Sequence, residues 1–253
     1  VLLYFPFYLG FSSQAGGILP NFMYPTRGIH LWVMWGTLLI PIFAYLIHLS
    51  SGVQQLAAAQ ANSELSDSRG KPNWKLGYSL GLGLPFLLFL LTFFIGWVIS
   101  FLEKDIVINF LASQGMTASQ FVRATSLRRL TYIGSLITLL AVLIPSLSFL
   151  FQGALTIDDK PQTTPSTVHR PMSTVIFVLL LITLGALLIL APEFVFLRDQ
   201  FGYRINTVFK FYYQVWMLWG LVAAFAVAYL LQNLRGAKNI IFRVLIGLVI
   251  FAG

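Results

Sequence analysis

The chain has 253 residues, of which 58% are hydrophobic and 9% are charged. Soluble domains have charged residues at about a quarter of their positions, so this composition excludes a self-contained soluble domain and indicates a protein embedded in lipid. The net charge of +8 comes from basic residues in short loops between apolar segments. Anionic lipid headgroups are therefore a better partner than nucleic acid, which we do not expect to bind. The absence of Cys excludes disulfides and thiolate metal sites.

The apolar segments predict membrane-spanning helices. A helix needs about 20 apolar residues to cross a bilayer, and strands of alternating polarity are absent, so the fold class is an all-α polytopic transmembrane helix bundle. Complete spans are predicted at 30–49, 76–101, 130–152, 174–191 and 211–232, and truncated spans at 1–9 and 240–253. We interpret residues 1–253 as a single transmembrane helical region that is a fragment of a longer chain.

The segment between the second and third spans predicts structure at the membrane surface. Apolar residues recur at helical spacing within 105–114, so we expect one interfacial amphipathic helix there. Gly115 can end that helix, and Thr117 with Gln120 has the spacing of a capping box for the next one. That next helix is expected to enter lipid at Leu130, after three arginines: Arg123, Arg128 and Arg129.

The remaining connections are polar. The segment 51–74 predicts a surface loop with a helical first half, and 153–173 predicts an exposed loop. If each apolar segment crosses once, the loops at 10–29, 102–129 and 192–210 lie on one side of the membrane. Lysine and arginine divide equally between the two sides, so the positive-inside rule gives no orientation.

Small residues in the second span predict a close helix contact. Gly77 and Gly81 are four residues apart, and Gly83 follows them, which is the spacing that lets two membrane helices approach closely. His30 and His48 bracket the first span and would be ~27 Å apart along it, so they cannot share a metal. We therefore expect no haem and assign no metal ligands; a single His that ligates a chlorophyll-type pigment is the remaining alternative.

Acidic residues at the end of the second span are the candidates for catalysis. Glu103 and Asp105 have a spacing that can bind a divalent cation or provide a general base. Beside Lys104, however, they also suit an ordinary solvated helix end. Both interpretations stay open.

The strongest cluster of polar residues lies between the last two predicted spans. Charges near a membrane are costly unless they are paired or hydrated, so such a cluster is a candidate site. Basic groups beside Asn and Tyr can hold a phosphate or diphosphate headgroup. The alternative is a structural network with the pairs Glu193/Arg198 and Asp199/Arg204. The candidate substrate-binding residues are Glu193, Arg198, Asp199, Arg204, Asn206 and Lys210, together with Gln14 and Arg27 from the first loop.

Two sequence blocks are similar to a known family. The block from Leu3 to Asn21, with Pro25-Thr26-Arg27 after it, and the block from Phe196 to Gln214 resemble the YYY-domain membrane proteins (domain of unknown function 2298). The second block contains the Arg-x-Asn-Thr-Val-Phe-Lys-Phe-Tyr core that is most typical of that family. The blocks occur in the right order, about 180 residues apart.

The resemblance implies an architecture similar to GT-C glycosyltransferases, which take sugars from polyprenyl-phosphate donors. It also implies that this chain is the C-terminal portion, and that the main catalytic carboxylate precedes Val1. The leading hypothesis is a membrane glycosyltransferase-like protein, in the inner cell membrane, that helps bind a lipid-linked sugar donor. The alternative is a non-catalytic scaffold or accessory subunit that partners other subunits of a photosynthetic or respiratory complex.

Overall fold

A computed structural model of the protein describes residues 16–61, 72–155, 172–199 and 203–252. Within these ranges the chain forms eight helices and two short strands. In chain order they are β1 (Ile18–Pro20), α1 (Gly28–Ala61), α2 (Trp74–Leu102), α3 (Lys104–Ser113), α4 (Ala118–Thr131), α5 (Gly134–Leu155), α6 (Met172–Phe194), β2 (Val195–Leu197), α7 (Ile205–Asn233) and α8 (Ala237–Ala252).

Five of these helices are long and apolar enough to cross a membrane, which confirms the all-α polytopic fold class. They are Gly28–Ser51 of α1, Trp74–Leu102, Gly134–Phe151 of α5, Thr174–Phe194 of α6 and Ile205–Asn233. The helical first half of the segment 51–74 is also confirmed, because α1 continues to Ala61. The predicted segment 1–9 lies outside the described residues, and 240–253 corresponds to the shorter helix α8.

One predicted boundary is wrong. The third span was expected to begin at Leu130 as the continuation of the arginine-bearing helix. Instead α4 ends at Thr131, a turn follows at Tyr132, and α5 begins at Gly134. The start of α5 crosses the start of α1 so closely that a Cβ on Gly28 would lie 3.0 Å from the backbone of Gly134. Two glycines thus allow the two helix starts to pack against each other.

The core of the bundle is formed mainly by α1, α5, α6 and α7, and α8 adds Phe242 and Ile246. Trp35 of α1 and Trp219 of α7 are fully buried, and their rings meet edge to face at 5.6 Å. The Trp219 indole donates a hydrogen bond to the Ile182 carbonyl at 3.2 Å. A Cβ on Gly185 would lie 2.1 Å from the same indole, so this glycine makes room for the largest side chain of the core.

The close contact predicted for Gly77 and Gly81 is confirmed. In α2, a Cβ on Gly77 would lie 1.9 Å from the Ser148 Oγ of α5, and one on Gly81 would lie 2.7 Å from Ile144. Gly83 faces open space and takes no part. The glycine pair therefore sets how closely α2 packs against α5.

The helix predicted within 105–114 and the caps around it are also confirmed, and the position of this helix at the membrane surface stays a prediction. Helix α3 has no buried residue. Gly115 adopts a φ of 62°, and the amides of Gly115 and Met116 donate to the carbonyls of Ala112 and Leu111, as in a Schellman motif. Thr117 and Gln120 form the capping box that starts α4.

A two-stranded antiparallel sheet joins two distant loops. Ile18, Leu19 and Pro20 pair with Leu197, Phe196 and Val195. The sequence did not predict these strands, since each has only three residues. The pairing holds the segment before α1 against the segment before α7.

Candidate functional site

Three loops that are distant in sequence converge at one end of the bundle. Asn21 is buried, and its amide side chain donates to the Pro192 carbonyl at 3.0 Å and to the Glu193 carbonyl at 3.3 Å. The Asn21 backbone amide donates to the Phe194 carbonyl at 2.7 Å. Arg129 of α4 donates to the carbonyls of Asn21 and Glu193. The described parts of the loops at 10–29, 102–129 and 192–210 thus lie at one end of the bundle, as the crossing pattern predicted.

A buried ion pair lies at the centre of this region. The Glu193 carboxylate accepts a hydrogen bond from the Arg204 guanidinium at 2.8 Å, and the two side chains are 8% and 15% exposed. The Thr26 amide donates to Glu193 at 2.8 Å, and the Thr26 hydroxyl donates to the same carboxylate while accepting from Arg204 at 2.8 Å. Thr26 is therefore hydrogen-bonded to both members of the ion pair.

Arg129 is a third charged side chain held inside this end of the bundle. Its guanidinium carbon lies 4.9 Å from the centre of the Phe194 ring, a cation–π contact. Its Nε is buried without a hydrogen-bond partner in the described part of the chain. Burial lowers the pKa of the Arg129 guanidinium, an effect that the Glu193 charge opposes and the Arg204 charge reinforces.

An open cleft of about 600 Å³ lies beside these charges. We call it the basic cleft, because no acidic residue of the described chain lines it. Its polar lining consists of Tyr24, Thr26, Arg27, His30, Arg128, Tyr132 and Arg204. Since Arg204 is neutralised by Glu193, the uncompensated positive charge comes from Arg27 and Arg128.

Hydrogen bonds hold the two exposed arginines of the cleft in place. Arg27 donates to the Tyr132 hydroxyl at 3.1 Å and its guanidinium carbon lies 5.0 Å from the Tyr132 ring centre. Arg128 donates to the Met23 carbonyl at 2.9 Å. A guanidinium has five N–H donors, and each of these hydrogen bonds uses one. Both side chains are held in place and can still bind an anion.

The structure divides the predicted polar cluster into separate groups. Glu193 and Arg204 form the buried pair, whereas Arg198 is exposed and contacts Gly16. Asp199 accepts a hydrogen bond from Asn206 at 2.6 Å. The predicted pairing of Glu193 with Arg198 and of Asp199 with Arg204 is therefore wrong, because Arg204 meets Glu193 instead.

Other candidates lie away from the cleft. Lys210 is exposed on α7, and Gln14 lies outside the described residues. Glu103 and Asp105 are exposed at the junction of α2 and α3 and do not line the basic cleft. In the part of the chain that the structure describes, no group of three or more His, Asp or Glu side chains could hold a metal ion.

Sequence reasoning missed several residues of the site. Arg128 and Arg129 were noted only as charges before a span, although they lie in a loop expected on the same side as Arg27. Asn21 was noted only as part of a motif, and its role depends on carbonyls more than 170 residues away. The shared side of the three loops was the available signal, but it does not show which side chains meet.

The fold and this cleft define a multi-pass membrane protein with a basic site at one end of its helix bundle. The chain belongs to the uncharacterized membrane protein family DUF2298, whose model matches residues 1–219. This match includes both sequence blocks described above, and therefore confirms the YYY-domain assignment. No curated protein and no solved structure matches the chain.

Proposed function

We propose that the protein binds the phosphate group of a lipid-linked sugar donor in the basic cleft, as part of a GT-C-like membrane glycosyltransferase. The observation that supports this most directly is the placement of Arg27 and Arg128 in one open cleft, at the end of the bundle where the three loops converge. Guanidinium groups bind phosphate oxygens through charge-assisted hydrogen bonds. A ligand anchored in the bilayer would present its phosphate near the ends of the spanning helices, and the cleft lies at the start of the span Gly28–Ser51.

The chemical role follows from charge. During glycosyl transfer, negative charge develops on the departing phosphate, and cationic donors held in place stabilise it. Arg27 and Arg128 would provide that stabilisation, with His30 and two tyrosines as further contacts. Arg204 would form the wall of the cleft, because Glu193 already neutralises it. The roles predicted for Arg198, Asp199, Asn206 and Lys210 stay predictions.

The carboxylates Glu103, Asp105 and Glu193 are not placed to act as the acid–base group of such a transfer. Glu103 and Asp105 do not line the cleft, and Glu193 is held by Arg204 and Thr26. The proposal therefore gives this chain the donor-binding part of the reaction.

The test measures binding of farnesyl phosphate, a short polyprenyl phosphate, to the full-length protein in detergent micelles. Arg27→Gln and Arg128→Gln should each weaken binding by roughly tenfold or more, since a hydrogen bond to a charged group contributes about 1.5–3 kcal/mol. Arg123→Gln is the matched control, because Arg123 is exposed on the same helix as Arg128 but lies outside the cleft. Unchanged binding in both cleft variants would contradict the proposal and favour an accessory subunit.

A further inference from the structure

A second cavity of about 650 Å³ lies beside the basic cleft. We call it the interfacial pocket, because it is lined by the end of α2, by the predicted interfacial helix α3, by α4 and by the segment 19–24. Its size falls in the range of ligand-binding pockets. Both α3 and α4 contribute side chains to its lining.

The lining of the interfacial pocket is mainly apolar, and eight of its 22 residues are aromatic. The Phe22 ring meets the rings of Phe93 and Phe121 edge to face at 5.3 and 5.6 Å, and Phe110 meets Phe121 at 5.5 Å. A Cβ on Gly96 would lie 2.8 Å from the Phe22 ring, so only glycine leaves room for this arrangement. A preformed apolar surface of this kind suits a hydrocarbon ligand.

The interfacial pocket and the basic cleft share a wall. Met23 and Tyr24 line both cavities, and the Tyr24 amide donates to the Asn21 side chain at 3.1 Å, which fixes this short segment. Helix α4 also contributes to both, with Arg128 in the cleft and Phe121 in the pocket. A phosphate site and an apolar site are therefore adjacent.

We infer that the interfacial pocket binds the isoprenoid chain of the lipid whose phosphate occupies the basic cleft. This inference rests on the proposed function and specifies its ligand. A single chain with branching methyl groups and planar double bonds can pack among the rigid rings of the pocket. The adjacency of positive charge and apolar lining matches an amphiphile that has one phosphate at the end of such a chain.

A second apolar cavity next to the basic cleft is a competing site for the isoprenoid chain. An apolar groove of about 310 Å³ runs between α2, α5 and α6, past Leu82 and Pro85. It shares Pro25 and Tyr132 with the basic cleft. The groove has less than half the volume of the interfacial pocket, and the experiment includes a variant that fills it.

The experiment compares ligands that differ in their apolar part. Binding of inorganic phosphate, farnesyl phosphate and dioleoyl phosphatidic acid is measured with the full-length protein in detergent micelles. Val107→Trp fills the interfacial pocket from α3, and Ala118→Trp fills it from α4. Ile108→Trp is the matched control, since Ile108 is next to Val107 but is 61% exposed and does not line the pocket. Leu82→Trp fills the competing groove.

We expect both pocket variants to weaken farnesyl phosphate binding at least tenfold and to leave phosphate binding unchanged. The Ile108→Trp and Leu82→Trp variants should bind both like the unmodified protein. The unfolding temperature of each variant shows whether it is folded. The inference is overturned if a pocket variant has the same unfolding temperature as the unmodified protein and binds farnesyl phosphate normally. It is also overturned if Leu82→Trp causes the loss, or if phosphatidic acid binds as tightly as farnesyl phosphate.

Failure of the proposed function gives a different result. In that case Arg27→Gln and Arg128→Gln would leave binding of all three ligands unchanged. A third result is possible: the arginine variants lose farnesyl phosphate binding, whereas the pocket variants bind it normally. This result would overturn only the inference that the isoprenoid chain lies in the interfacial pocket.

Discussion

The Glu193 carboxylate and the Arg204 guanidinium, 11 residues apart in sequence, meet at 2.8 Å with both side chains largely buried. Thr26, from a loop 167 residues before Glu193, bonds to both partners. The pair therefore does more than neutralise two charges. It fastens the end of α6 and the start of α7 to the loop that precedes α1, and so forms one wall of the basic cleft.

Removing either partner should destabilise the protein strongly. Glu193→Gln or Arg204→Gln leaves a buried charge without its counterion, which costs about 3–5 kcal/mol in buried pairs. The double variant should be less destabilised than the sum of the single changes, because neither charge then remains. Thermal unfolding in detergent, followed by tryptophan fluorescence, measures all three. Strictly additive changes would show that the two side chains do not stabilise each other.

Arg129 should require its planar, branched guanidinium. It reaches the carbonyls of Asn21 and Glu193 and also stacks near the Phe194 ring, a combination that a lysine ammonium cannot reproduce. We expect Arg129→Lys to lower the unfolding temperature by several degrees, as a loss of about 1–2 kcal/mol does.

Arg123→Lys is the matched control for this change, because Arg123 is exposed on the same helix. It should leave the unfolding temperature unchanged. Equal unfolding temperatures for the two variants would mean that the charge of Arg129 is sufficient and its geometry is not needed.

Gly77→Ala should loosen the contact between α2 and α5. The new methyl group would lie 1.9 Å from the Ser148 Oγ and 2.8 Å from a backbone carbonyl oxygen, so the helices must separate, and overpacking of this kind costs about 1–3 kcal/mol. Gly83→Ala is a stringent control, since nothing lies within 4 Å of its added Cβ and alanine favours the helix. The comparison is made by thermal unfolding in detergent. An equal effect of the two substitutions would contradict the packing contact.

Helix α3 should lie at the membrane surface with its apolar side chains in lipid. Because the chain has no Cys, a single Ile108→Cys substitution can carry a nitroxide label in the reconstituted protein. Ile108 is 61% exposed in the isolated protein, and the label should be more accessible to oxygen, which concentrates in lipid, than to a water-soluble nickel complex. A label at Ser119, an exposed position near the start of α4, provides the comparison. Preferential nickel access at both positions would place α3 in water.

Local sequence signals were sufficient for much of the fold. The length of the apolar segments predicted five spans, since unpaired backbone groups cannot be left in lipid. The caps around Gly115 and Thr117 were predictable because their hydrogen bonds join residues only a few positions apart. The spacing of Gly77 and Gly81 indicated a close contact, although not that Ser148 would be the neighbour.

The site was predictable only in part, because its contacts join distant residues. Arg27 and Arg204 were identified as candidates from their type and position, but the partners of the charges were wrong. Spacing within one loop favoured pairs such as Asp199 with Arg204, whereas the strand pairing of β1 with β2 brings Thr26 to Glu193. Arg128 enters the cleft because α4 ends before the span begins, which hydrophobicity alone did not predict.

The sequence by itself determined that this is a multi-pass helical membrane protein of the DUF2298 family, since apolar length and short motifs are local properties of the chain. Only the tertiary structure decided which charges are paired inside and which line the basic cleft. The energy of a charge depends on its burial and on its nearest counterion. Both are set by the packing of α1, α4, α6 and α7, whose contacts cross more than a hundred residues of sequence.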